Sequence, residues 1–419
     1  MGGSRKFLLI TRGFLVGAKG MSKKVLFISG SIGLGHVRRD LAIAKALRYL
    51  RRDLKIIWLA DEPARSVILK EGESIAPESS MVSYGTARIE EAAREFRTNM
   101  TMIGVDIMSD GAANAEACRQ IMEREGIDLV VGDETYDLLA AIQKQQGLLK
   151  KAKLVFICDF VGFEPMTENP LERLYVYNAN GMWYKVMMDP QMVDRCLFVG
   201  VPEDIPDKTW GPLPSLKDLV KRLDFLGYIL SFNPRDFSDQ PKVRTALGYG
   251  DEPLIVCTVG GTSAGKPLLD LCARAYPIIK RSLSRARMIL VCGPRIDPRE
   301  IEAKEGLKVM GYLPDLYRHL AACDIAITTA SGTTSLELLA LQKPFIYFPL
   351  EQHFEQNVHV CASNNRRGAD LRMLFSLTTP ELLAETVLRN IGRKIDYGPI
   401  PLNGAKKAAA IINDVLSDS

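Results

Sequence analysis

Histidine is scarce in this chain, with 4 in 419 residues. That leaves little material for a His-rich metal site. The eight cysteines, Cys118, Cys158, Cys196, Cys257, Cys272, Cys292, Cys323 and Cys361, include no C-x-x-C pair. Scattered cysteines in apolar surroundings exclude a zinc ribbon or a disulfide framework and suit buried thiols in a reducing compartment. There is no Asp-x-Asp, the simplest two-carboxylate clamp for a divalent cation. No apolar run reaches the roughly 18 residues of a membrane span. The net charge is only +4, too small a surplus to mark a nucleic-acid binder. No repeat or low-complexity stretch is visible.

What is present is ordinary globular material, with 47% hydrophobic and 25% charged residues. At roughly 150 residues per domain, the length suggests two or three domains. Charge is unevenly placed. Residues 1–60 hold 13 Lys/Arg and 2 Asp/Glu, while residues 61–150 hold 9 and 17. The first section is either a set of solvated helix ends or a basic face for an anionic partner such as a membrane surface. Residues 1–20 begin like a signal peptide, but Arg12 breaks the apolar core and no cleavage pattern follows. They read as a disordered extension before Met21, and the protein reads as cytoplasmic, with the inner face of the membrane as an alternative address.

Short Val- and Ile-rich runs alternate with helical patterns, the signature of parallel α/β sheets. Strands are expected at 25–29, 56–60, 129–132, 154–158 and 197–201, and again at 254–259, 288–292, 309–312, 325–329 and 345–348. Helices are expected between them. The Pro-rich stretch 202–214 separates the two series. This predicts an N-terminal domain over 21–212, a C-terminal domain over 213–396 and a closing helix within 397–419. Two facing doubly wound, Rossmann-like domains would place the ligand in the cleft, beyond the carboxyl ends of the strands.

The chemistry should therefore lie in loops that follow strands. The first such loop holds Gly30, Gly33 and Gly35 ahead of His36. Its G-x-x-G-x-G spacing is not the dinucleotide fingerprint. The glycines admit close approach of a ligand, and a His at a helix N-terminus is held neutral and can act as a general base. A mere helix cap is the plainer reading. The second loop, Gly260-Gly261-Thr262-Ser263-Ala264-Gly265-Lys266, ends in Pro267 where a P-loop needs Ser or Thr. It can still hold phosphate through backbone N–H groups and hydroxyls. The third runs from Ser331 through Gly332, Thr333 and Thr334 to Glu337. Two anion-binding loops in one domain suit a diphosphate. Glu337 can accept hydrogen bonds from ribose hydroxyls, or can be the acid of a capping box begun at Thr334. The fourth, Glu351-Gln352-His353-Phe354-Glu355-Gln356-Asn357, carries the mixed donors and acceptors that sugar hydroxyls need.

These motifs resemble the donor-binding region of glycosyltransferases of the GT-B fold, and most closely glycosyltransferase family 28. That family includes the peptidoglycan N-acetylglucosaminyltransferase and the plastid galactolipid synthases. The resemblance runs from Met21 onward, and its specific part is C-terminal. It implies that Glu337 binds the ribose of a UDP-sugar and that Gly261, Thr262 and Ser263, with Ser331–Thr334, hold the diphosphate. It implies that the main chain at Tyr312 and Leu313 meets the uracil, that Glu355 and Gln356 face the hexose, and that His36 is the acceptor-side base. Asp159 resembles an acidic residue of the galactolipid-synthase branch and would orient His36 or contact the acceptor. It is equally readable as an ordinary strand-end carboxylate. Family members carry Asp-Gln or Gln-Gln where this chain has Glu355-Gln356, so the sugar is not named by the resemblance.

The expected activity is transfer of a hexose or N-acetylhexosamine from a UDP-sugar to an acceptor hydroxyl, with inversion. The UDP-sugar is a co-substrate, and neither a cofactor nor a metal is expected. A base across the cleft from the leaving group predicts inversion, as in inverting glycosidases. The Met- and aromatic-rich section 160–190 is either core with a covering loop or a groove for a lipid or polyprenyl-linked acceptor. No nucleic-acid partner is expected. The alternatives are an isomerase like the UDP-N-acetylglucosamine 2-epimerases and a non-catalytic nucleotide-sugar-binding protein.

Overall fold

The computed structural model describes residues 22–30, 34–84, 90–93, 95–98, 100–145, 147–149, 152–206, 208–209, 213–302 and 304–418, side chains of 100–110 and 217 excepted. Residues 1–20 and Gly33 therefore lie outside the described residues.

Two parallel sheets form the frame. The first contains β1 (Lys24–Ser29), β2 (Lys55–Leu59), β3 (Leu129–Asp133), β4 (Lys153–Cys158), β5 (Arg195–Val199) and β6 (Leu223–Gly227), in the order β2-β1-β3-β4-β5-β6. The second contains β7 (Leu254–Thr258), β8 (Arg287–Val291), β9 (Leu307–Met310), β10 (Ile325–Thr329) and β11 (Phe345–Phe348), in the order β11-β10-β7-β8-β9. Every strand pair is parallel. The strands read as unbroken apolar runs because helices cover both sheet faces. Separate clusters of buried residues line those faces, Leu26, Ile28 and Phe156 on one side of the first sheet and Val25, Phe27 and Trp58 on the other.

The boundary expected at 212 falls short of β6, which joins the first sheet. β6 reads poorly as a strand because Asp224 interrupts it and a register shift marks its junction with β5. The last helix, Gly404–Ser417, also returns to this domain. Its Ala408, Ala409, Ile412 and Leu416 are buried in the cluster of α1 (Gly35–Leu50), beside Val37, Ile43 and Leu47. The chain thus crosses between the domains twice.

The excess cations of residues 1–60 meet the excess anions of residues 61–150. Lys23 pairs with Asp128, Lys24 and Lys55 with Glu125, and Arg48 with Glu73. The basic face is to that extent neutralised within its own domain. Among the described residues no helix is long and apolar enough to cross a membrane. All eight cysteines are free and buried, as their apolar surroundings suggested.

Candidate functional site

Strand order decides where a site can form. The strand order of the first sheet reverses between β1 and β3, that of the second between β7 and β10. In open parallel sheets a ligand crevice opens at such switch points, beyond the carboxyl ends of the strands. The glycine loops after β1, β7 and β10, and the acids after β3, all stand at these two points. Residues 34–36, Glu134, residues 260–262 and residues 331–334 of these segments line one interdomain cavity of about 200 Å³.

On the N-terminal side, α1 starts at Gly35, next to the C-terminal domain. A Cβ on Gly35 would lie 2.1 Å from Thr333 Oγ1, so only glycine lets the two helix N-termini approach. Gly30 is similarly pressed by the ring of Tyr84, 2.7 Å from the position of a Cβ. His36 follows directly. It does not cap its helix, since the N-cap position is Leu34 and no side chain caps it. Instead His36 Nδ1 lies 3.4 Å from Asp133 Oδ1, and Nε2 lies 4.0 Å from Glu134 Oε2.

The acids around His36 form a graded set. Arg39, one turn along α1, donates from Nε to Asp133 Oδ2 (2.7 Å), from Nη2 to Asp133 Oδ1, and from Nη1 to Asp159 Oδ2 (2.5 Å). Burial opposes ionisation of Asp133 and Asp159, but Arg39 and then His36 outweigh it. Asp133 is held well below the usual carboxylate range and Asp159 at about 2. Glu134 goes the other way. Burial, then the charge of Asp159, lift it well above the usual range. Its backbone sits at φ 50°, a left-handed conformation that a non-glycine residue adopts at a cost of about 1–3 kcal/mol and mostly at functional sites. Asp40, fully buried behind Asp133, is also raised, by burial and then by that neighbour.

Asp159 shares Arg39 with Asp133, and Asp133 is the carboxylate that faces His36 Nδ1. Sequence reasoning missed Asp133, Glu134 and Arg39. The available signal was positional: Asp133-Glu134 ends the strand next to β1, as Asp159 ends the strand after that. His36, Glu134 and Asp159 each offer a ligand atom within 4.8 Å of the others, a set that could hold a metal ion. Arg39 already occupies one oxygen of Asp159, which disfavours a second cation there.

On the C-terminal side, the expected donor residues are brought together with one departure. Gly261, Thr262, Tyr312, Leu313, Ser331, Gly332, Thr333, Thr334, Glu337, Glu355 and Gln356 line the cavity. Ser263 does not; its N–H donates to Glu90 Oε1 of the other domain (2.9 Å), and Arg295 pairs with the same carboxylate. The Lys of the near-P-loop, Lys266, turns to Asp270 (3.1 Å) instead of the cavity. Glu337 lies inside the helix Gly332–Ala340, whose N-cap is Ser331. It is therefore too far along to close a capping box. It is 7% exposed, and burial lifts its carboxyl to about 7 against the pull of Arg38. Arg38 itself reaches across the cleft, donating to Tyr312 OH (2.9 Å) and to the Pro314 carbonyl (2.5 Å).

Glu355 and Gln356 begin a π-helical turn, Glu355–Val360. Such turns occur mostly as single bulges and frequently at functional sites. Glu355 is raised to about 8 by burial and by Asp159 across the cleft, with Arg39 opposing. Gln356 Oε1 is fixed by the Leu350 N–H (2.8 Å). Phe354 packs between Phe160 and Phe163 of the other domain, centroids 5.0 and 5.3 Å away. The aromatic section after β4 thus helps to join the domains.

Residues 255–407 match the model of the glycosyltransferase family 28 C-terminal domain. An uncharacterized glycosyltransferase of Methanopyrus kandleri is 23% identical over 307 residues, 73% of this chain and 80% of that one. The chain carries a glycosyltransferase family 28 C-terminal domain. A second relative is the UDP-N-acetylglucosamine–N-acetylmuramyl-(pentapeptide) pyrophosphoryl-undecaprenol N-acetylglucosamine transferase of Clostridioides difficile. It is 35% identical over 160 residues, 36% of this chain and 38% of that one. Among solved structures, the glycotransferase of kitacinnamycin superposes with a TM-score of 0.59 at 15% identity, over 94% of this chain and 98% of that one. The chain therefore shares the fold of that protein, and its C-terminal domain shares the family 28 sequence pattern. Both agree with the two facing sheets and the cleft described above.

Proposed function

We propose that this glycosyltransferase moves a hexose or N-acetylhexosamine from a UDP-sugar to an acceptor hydroxyl, with inversion and without a metal. The observation that carries this reading is one cavity. It joins a His–carboxylate–Arg cluster on the first sheet to two hydroxyl-rich anion loops and a buried Glu on the second.

Each part has a task. The N-terminus of the helix Gly332–Ala340 and the loop after β7 receive the diphosphate, and their N–H groups and hydroxyls neutralise charge as UDP leaves. Glu337 accepts from the ribose, the Tyr312–Leu313 main chain meets the uracil, and Glu355 and Gln356 face the sugar. Asp133, locked by Arg39, keeps the proton of His36 on Nδ1. Nε2 is then free to take the acceptor proton. The acceptor oxygen bonds to the anomeric carbon, and the bond from that carbon to the β-phosphate oxygen breaks on the opposite face. The proton ends on His36, where Asp133 stabilises the imidazolium. The name of the Clostridioides difficile relative supports an N-acetylhexosamine donor.

A panel of UDP-sugars incubated with the protein, with and without simple alcohol acceptors, tests the reading. Release of UDP with a β-configured product from an α-configured donor is expected. Binding without UDP release would identify a binding protein, and a C2-epimerised UDP-sugar without UDP release would identify an isomerase.

A further inference from the structure

A second chamber opens behind the contact of Gly35 with Thr333. It has a volume of about 100 Å³ and shares Gly35, Asp159, Gly332, Thr333 and Glu355 with the donor cavity. Its far wall comes from the end of the π-turn and the following helix, with His359, Ser363, Asn364 and Arg367, and from Tyr228 of the first domain. The donor reading assigns it no task.

Its polar groups are unusual in being unfinished. His359 is 8% exposed, and its Nε2 is buried with no hydrogen-bond partner. Burial holds this imidazole at about 4, so it is neutral near pH 7. Arg367 lies over the Tyr228 ring, 5.0 Å from its centroid, and donates to Tyr228 OH (3.0 Å). Its Nε is buried and has no partner. Its neighbour Arg366 pairs with Asp204, whose other oxygen accepts from Tyr228 OH (2.6 Å) and Val201 N–H (2.9 Å). No carboxylate of the described residues is ion-paired with Arg367 itself. A guanidinium stacked on an aromatic ring, desolvated on one edge and without a counter-ion, is a fork that matches a carboxylate or phosphate.

The carboxyls in the same chamber do not supply that counter-ion. Asp204 is saturated as above, and Asp159 is taken by Arg39. Glu355 is held mostly protonated at pH 7. Leaving a buried donor unmade is costly, so the chamber has a reason to take up an anion.

We propose that the chamber is an anion subsite of the acceptor, in which Arg367 and His359 hold a phosphate or carboxylate carried by the molecule that is glycosylated. The proposal rests on the transferase reading. Because the chamber meets the donor cavity at Gly35, Asp159 and Glu355, and His36 lines that cavity, an acceptor anchored in the chamber presents its hydroxyl beside His36. The sugar is then directed to molecules that bear a negative group a short distance from the reacting hydroxyl.

The test uses the full chain saturated with UDP, so that the donor phosphate loops are filled, and calorimetric titration with inorganic phosphate and, in parallel, acetate. Binding of at least one of the two is expected. Arg367→Gln should weaken it about tenfold or more, as a charge-assisted bond is lost. Arg367→Lys should fall between, and His359→Gln should weaken it less than Arg367→Gln. The anion that binds separates a phosphate-bearing from a carboxylate-bearing acceptor. Should Arg367→Gln fail to fold, the Lys and His359 variants decide. Neither anion binding to the UDP-saturated protein, or equal affinity in wild type and the Arg367 variants, would overturn the subsite. Failure of UDP itself to bind would count against the transferase reading instead.

Discussion

Glu337 links nucleotide binding to pH in a way that can be worked from the structure. Its carboxyl is raised from 4.5 to about 7 by burial. The folded protein therefore binds more protons than the unfolded chain between those values. Stability from this group is greatest below about pH 4.5 and is lost as pH rises to about 7, then levels off. A shift of this size corresponds to roughly 3 kcal/mol across the window. Glu337→Gln keeps the shape and cannot ionise, so its stability curve should lack that slope. Urea denaturation of the two proteins at pH 5 and pH 8, compared as a difference, measures it: the variant should gain roughly 3 kcal/mol on wild type between the two pH values. UDP binding should show the converse. If the ribose hydroxyls donate to the carboxylate, UDP binds the ionised form, and wild-type affinity should drop about tenfold from pH 8 to pH 6 beyond any drop in Glu337→Gln. The titration of UDP's own phosphate is common to both proteins and cancels. Parallel pH profiles for wild type and Glu337→Gln, in stability and in UDP affinity, would refute both the burial argument and the ribose contact.

Other outcomes follow from the acid cluster and the domain contact. Asp133→Asn should lower kcat by about 10²-fold or more while leaving UDP affinity unchanged, because the imidazole loses its orienting carboxylate and Arg39 loses a partner; an active Asn variant would show that His36 does not depend on Asp133. Turnover should survive EDTA; complete loss restored by Mg²⁺ or Mn²⁺ would make His36, Glu134 and Asp159 a metal site and remove His36 as the base. Gly35→Ala should weaken UDP binding by about 1–3 kcal/mol, since its methyl meets Thr333 and pushes the phosphate-binding helix away; unchanged affinity in calorimetry would show that the contact yields without cost.

Much of this was legible in the sequence because parallel strands are buried on both faces and announce themselves as apolar runs. β10 and β11 were readable to the residue. Loops after strands then gave His36, the hydroxyl loops and Glu337. The Asp133–Arg39–Asp159 network was not legible, because its members lie 94 and 120 residues apart in sequence and meet only through the order β1-β3-β4. Strand order is a tertiary property that no local pattern encodes. β6 escaped because its pairing with β5 is irregular and its sequence mixes Asp224 with apolar residues. The fate of the cations in residues 1–60 was not legible for a related reason: a charge count along the chain cannot show that Asp128 and Glu125 come back to pair with Lys23, Lys24 and Lys55.

The central claim is that His36, held by Asp133, takes the acceptor proton, and the transfer rate of His36→Asn tests it most directly. Asn fills similar space and can hydrogen-bond to Asp133 but cannot accept a proton near neutral pH. The account predicts a rate about 10²–10⁴-fold below wild type, as low as that of His36→Ala, with UDP affinity within about twofold of wild type. Transfer at a near-wild-type rate by a folded His36→Asn protein would contradict it.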